Sequence, residues 1–123
     1  PMTARSTAMA GGPINVPVPN STFTARHCQK KRIWTRQPLS GGKVAEVTLK
    51  VCNDTTTAME VTTNDGQTAT LEAWEKASPE GRPPVIVPDC HTFVGDIRWV
   101  DIHLKGKEGD RGSGTVEGTI TWF

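Results

Sequence analysis

A chain of 123 residues has room for one domain with its own core and little room for a second. Hydrophobic residues at 35% and charged residues at 22% exclude the composition of a membrane protein and of a disordered one. A net charge of +1 leaves no global field to draw the chain to nucleic acid or lipid.

Seventeen Thr, twelve Gly and nine Pro, beside four Trp and no Tyr, predict strands and tight turns rather than helices. Residues 1–20 read as an N-terminal extension. Its second part alternates Ile14, Val16 and Val18 on one face. Pro17 and Pro19 remove two donors of the same parity, so the segment is either an edge strand or an arm. The domain proper is placed at 21–123. A first strand runs over 21–29 and onward toward Trp34, and a turn follows at 37–42. The clearest strand is 43–52, where Ala45, Val47, Leu49 and Val51 alternate with polar residues. Strands over 56–63 and 68–74 flank Asn64-Asp65-Gly66-Gln67, a hairpin turn. Residues 71–77 are a weak helix candidate, and 75–84 read as a polar loop. Val85-Ile86-Val87 is a short apolar run between prolines. Residues 91–104 read as one long strand whose phase changes near Arg98, which a bulge would explain. A charged glycine loop precedes a closing strand over 115–123. The pattern gives an all-β antiparallel sandwich of about seven strands.

No stretch approaches the roughly 18 apolar residues of a membrane helix, so no membrane insertion is expected. Ala8-Met9-Ala10 is like the small-residue end of a signal peptide but lacks an apolar region before it. Asn20-Ser21-Thr22 and Asn53-Asp54-Thr55 match the glycosylation sequon. Of Cys28, Cys52 and Cys90, an oxidising compartment would pair two and leave one. A link from Cys28 to Cys52 would contribute about 3 kcal/mol by restricting the unfolded chain, and three reduced thiols are the alternative.

Three chemistries were weighed against plainer roles. His27-Cys28 and Cys90-His91, with His103 and Cys52, offer zinc donors, but neighbours on a strand point to opposite faces. Neither a metal nor any other cofactor is expected. No nucleophile elbow, Walker loop or dinucleotide fingerprint is present, so no catalytic residue is assigned and the protein reads as non-enzymatic. The strongest chemical feature is basic: Arg26, His27, Lys30, Lys31, Arg32 and Arg36 lie within eleven residues around Trp34. Arg26, Lys30, Lys31, Arg32, Trp34 and Arg36 are therefore the candidate ligand-binding set for a host glycan or polyanion, with nucleic acid not expected. The plainer role is a solvated edge whose lysines block aggregation. Trp34 and Trp74 are expected at the surface, and Trp99 and Trp122 in the core.

An N-terminal extension, a first strand ending at Cys28-Gln29, a second ending at Cys52, and a Gly- and Thr-rich final strand over 114–123 form a layout. That layout resembles the chaperone–usher fimbrial subunits, among them small adhesin-type subunits. The resemblance implies an incomplete immunoglobulin-like sandwich that passes through the periplasm and is secreted to the cell surface. It further implies a Cys28–Cys52 disulfide. Ile14, Val16 and Val18 would be donor-arm positions that join other protein subunits, copies of itself or fimbrial neighbours. The main functional expectation is thus a surface interaction subunit. Alternatives are a carbohydrate- or polyanion-binding module built on 26–36, and a small intracellular protein with a metal or thiol site at Cys90-His91.

Overall fold

The structure, a computed structural model, describes residues 13–37 and 44–122. Those residues form no helix and ten strands: β1 (Ile14–Arg26), β2 (Lys30–Thr35), β3 (Val44–Asn53), β4 (Met59–Thr63), β5 (Thr68–Leu71), β6 (Glu75–Ala77), β7 (Val85–Val87), β8 (Asp89–Gly95), β9 (Trp99–Leu104) and β10 (Arg111–Trp122). Eight of them build two four-stranded sheets, ordered β1-β10-β3-β8 and β2-β9-β4-β5, while β6 and β7 pair as a separate ribbon. Every pairing is antiparallel.

The sandwich follows from period-two patterning. Val47, Leu49 and Val51 of β3, Phe93 of β8 and Val116 of β10 turn inward from one sheet. Met59 and Val61 of β4, Leu71 of β5, and Val100, Ile102 and Leu104 of β9 meet them from the other, and all are almost fully buried. Removing each such side chain from water contributes about 1.5–3 kcal/mol, so these alternating positions are the main source of cohesion. Gly114 and Gly118 let β10 lie close between its neighbours: a Cβ at Gly114 would strike the Cys52 carbonyl, and one at Gly118 the Thr48 carbonyl.

The strand order corrects the immunoglobulin-like expectation. An immunoglobulin sheet pairs strands such as A with B and F with G, which are consecutive in sequence. Here β1 and β2 lie in opposite sheets, as do β2 and β3, β3 and β4, β8 and β9, and β9 and β10. Of the eight sandwich strands only β4 and β5 are consecutive and paired as a hairpin. Eight strands wound in this way form a jelly roll. The long strand expected over 91–104 is accordingly two strands, and its change of phase marks the crossing between sheets at residues 96–98 rather than a bulge. The strand expected to run from 21 toward Trp34 also divides. Cys28 adopts a left-handed conformation with φ of 60°, and Gln29 closes the turn by donating its N–H to the Arg26 carbonyl at 2.9 Å. The weak helix candidate is not helical, because residues 75–77 pair with 85–87.

The boundary placed at residue 20 falls inside β1, where the register is irregular between Val18 and Ser21. Residues 1–12 of the expected extension and 38–43 of the expected turn lie outside the described residues. Ile14, Val16 and Val18 pair within the same chain, with Trp122, Ile120 and Gly118. Val18 is buried, Val16 half-buried and Ile14 exposed. Among the described residues β1 has a neighbour on one side only, as two prolines of one parity require.

The disulfide expectation is also corrected. Cys52 on β3 and Cys90 on β8 face each other across the ladder, with Cα atoms 4.1 Å apart, and are bonded. Cys28 is free and exposed. Cys28 lies in the turn beyond the end of β1, and β1 is separated from β3 by β10, so at least two strand spacings, about 10 Å, part Cys28 from Cys52. That exceeds the roughly 7 Å between Cα atoms that a disulfide tolerates. A bonded pair of this kind persists in oxidising, extracytoplasmic compartments. No helix among the described residues is long and apolar enough to cross a membrane.

Candidate anion-binding cleft

The basic run does not stay together in the fold. Alternation along β2 sends Lys31 to one side and Lys30 and Arg32 to the other. Arg32 pairs with Asp101, its Nε donating to Oδ1 at 2.8 Å. Its guanidinium also lies 4.3 Å from the centre of the Trp99 ring. The hydrogen bond to Asp101 is the main cause holding Arg32 above the ordinary arginine value. Arg36 lies near the crossing between β8 and β9 and donates to Asp96 Oδ1 at 2.9 Å. That bond, foremost, pulls the Asp96 carboxyl below its usual value. Two of the expected binding cations are therefore already occupied by carboxylates.

Trp34 also departs from expectation. It is half-buried against the core, so it offers no open platform. Trp74 and Trp99 are likewise half-buried, and Trp122 packs partly against the core. The Trp99 face is taken by Arg32.

Of the other cations, Lys30 is exposed and does not line the cleft; Arg26 and Lys31 remain, and the fold adds a residue that sequence reading missed. β1 and β10 run antiparallel, with Arg26 directly opposite Arg111. Lys31 approaches from β2, its ammonium held by a 2.7 Å hydrogen bond to the Thr24 carbonyl. These three cations line an open cleft of about 460 Å³. The buried Ala25 and Gly112 lie beneath it, and Gln29, Thr55 and Ser113 complete much of the wall. Among the described residues no carboxylate lines it. Glu108 and Asp110 border a neighbouring recess that also touches Arg26 and Arg111. Among the described residues neither carboxylate forms an ion pair with these arginines, and the Asp110 carboxylate accepts from the Lys107 N–H at 2.8 Å.

Like charges directly opposed on neighbouring strands are unfavourable. An anion between them would relieve that repulsion, so the Arg26–Arg111 pair is suited to hold one. Arg111 lies 85 residues from Arg26 inside a Gly-rich segment, and no local motif links them. Only the β1–β10 register would have revealed the pair.

The remaining candidates resolve differently. Cys28 Sγ lies 3.1 Å from His27 Nε2 at the turn beside the cleft. Cys90 is bonded to Cys52, which removes the free thiol on which a Cys90-His91 site depended, and the His91 ring packs edge-on against Phe93 at 4.6 Å. Among the described residues no three metal-ligating side chains converge. The two sequons also part. Asn20 is exposed, whereas Asn53 is fully buried and donates to the Thr57, Leu71 and Glu72 carbonyls at 2.9, 3.2 and 2.9 Å. Asn53 cannot carry a glycan in this fold. Neither a family model nor a curated protein matches the chain.

Proposed function

We propose that this chain is a secreted, non-enzymatic binding module that holds a polyanionic ligand through the cleft between β1, β10 and β2. The observation that carries this reading is the convergence of Arg26, Lys31 and Arg111 on an open cleft lined by no carboxylate. Among the described residues Arg26, Lys31 and Arg111 form no ion pair and are free to face an external anion, whereas Arg32 and Arg36 are paired with Asp101 and Asp96. Binding through such groups weakens as salt rises. The test is retention on a heparin matrix under a salt gradient. The Arg26→Ala/Arg111→Ala double variant is expected to elute at clearly lower salt than wild type, and Arg32→Ala/Arg36→Ala close to wild type. The reverse order would remove the cleft from the reading.

A second reading, a fimbrial or adhesin-type surface subunit, is favoured by β1. Residues 14–18 form the free edge of a sheet ahead of an irregular register, a segment that the same strand of a neighbouring subunit could replace. Exchange of that kind predicts that mixed differently tagged copies co-purify after joint refolding and fail to do so without it.

A further inference from the structure

We propose that the cleft recognises a short acidic saccharide, carrying sulfate esters or carboxylates beside free hydroxyls, rather than a DNA strand. This rests on the polyanion reading and names its ligand. The hydrogen-bond inventory of the wall carries it. Gln29 Oε1 accepts from the Arg26 N–H at 2.9 Å, so its amide faces a ligand as a donor. Lys31 spends one N–H on the Thr24 carbonyl and keeps two. With the two guanidiniums, these groups offer donors alone, which suits sulfate or carboxylate oxygens.

Thr55 is the opposite case. Its hydroxyl donates to Asn53 Oδ1 at 2.7 Å, so toward the cleft it is left as an acceptor. An acceptor among cations is matched by a ligand that brings its own O–H beside its negative charge. A sugar bearing an acidic group does so, and a DNA backbone, which lacks a 2′-hydroxyl, does not. Among the described residues no aromatic side chain lines the cleft, which removes the stacking platform on which single-stranded nucleic acids depend. The same absence leaves an uncharged sugar without an aromatic face to stack on. A volume of about 460 Å³ is within the range of small-ligand sites, enough for a few sugar units.

The experiment is calorimetric titration of the full chain with a heparin-derived tetrasaccharide, its fully desulfated counterpart, and an oligothymidylate of equal charge. The sulfated tetrasaccharide should bind about tenfold more tightly than oligothymidylate, and the desulfated one should not bind detectably. Thr55→Val should weaken the saccharide about fivefold, the worth of one hydrogen bond, and leave oligothymidylate unchanged. Because Thr55 also supports Asn53, Thr55→Ser, which keeps the hydroxyl, is the companion variant and should restore saccharide binding to near wild type. Equal binding of tetrasaccharide and oligothymidylate, both lost in Arg26→Ala/Arg111→Ala, would overturn the saccharide inference and leave polyanion binding standing. Absence of binding by every ligand would overturn both.

Discussion

Replacing Cys52 and Cys90 together by Ala tests the cross-link that the fold assigns. The bond joins residues separated by 38 positions. Restricting a loop of that length in the unfolded chain contributes about 4 kcal/mol, a large share of the roughly 5–15 kcal/mol that holds a domain together. With a urea dependence of about 2 kcal/mol per molar, the double variant should unfold at a midpoint about 2 M below wild type. Cys28→Ala should unfold with wild type, since its thiol is free. Adding reductant should bring wild type and Cys28→Ala down to the double variant and leave the double variant itself unmoved. Urea titration followed by tryptophan fluorescence reads all three. A non-reducing peptide map that joins Cys28 to Cys52, or a midpoint that Cys28→Ala lowers as far as the double variant does, would refute the assignment.

Two further outcomes follow from polar groups. Asn53→Ala leaves the Thr57, Leu71 and Glu72 carbonyls without their shared donor, which should cost about 2–3 kcal/mol in urea unfolding, whereas Asn20→Ala, at an exposed position, should change little. Asp96 and Asp65 are both held below the ordinary value of 3.8, Asp96 chiefly by Arg36 and Asp65 chiefly by the Thr63 hydroxyl. A carboxyl depressed in the folded state contributes stability that is complete above its unfolded value and lost as pH falls through the folded one. Thermal melts should therefore decline in acid below about pH 3.8, and Asp96→Asn should make that decline shallower. An Asp96→Asn slope equal to wild type would remove the Arg36 pairing as its source.

The sandwich was readable because its core rests on period-two alternation, as at Val47, Leu49 and Val51, and on a hairpin with Asp65-Gly66 at its tip. Strand order was not readable, because a crossing between sheets looks locally like a bulge or a continuing strand. His27-Cys28-Gln29 contains neither Gly nor Pro, yet it carries the chain from one sheet to the other. The disulfide was assigned to the wrong pair for the same reason: spacing along the chain does not reveal which strands become neighbours. In the cleft, Arg26 and Lys31 were legible as basic residues. The neutralisation of Arg32 and Arg36 depends on carboxylates 69 and 60 residues away, and the contribution of Arg111 depends on register.

β10 lies between β1 and β3, and its ladder with β1 ties Ile14 to Trp122. Among the described residues β1 has no other partner in its sheet, so Val18, Phe23 and Ala25 cannot be sealed until the segment at 111–122 has been made and brought home. Contacts spanning this much sequence carry a large loop-closure cost before they return any stability, which makes folding slow. During that interval the first strand is an open, partly apolar edge, the form in which a chain is most exposed to aggregation. Pro17 and Pro19 lie in the segment that waits longest for its partner, where they deny a passing strand two of the donors it would need.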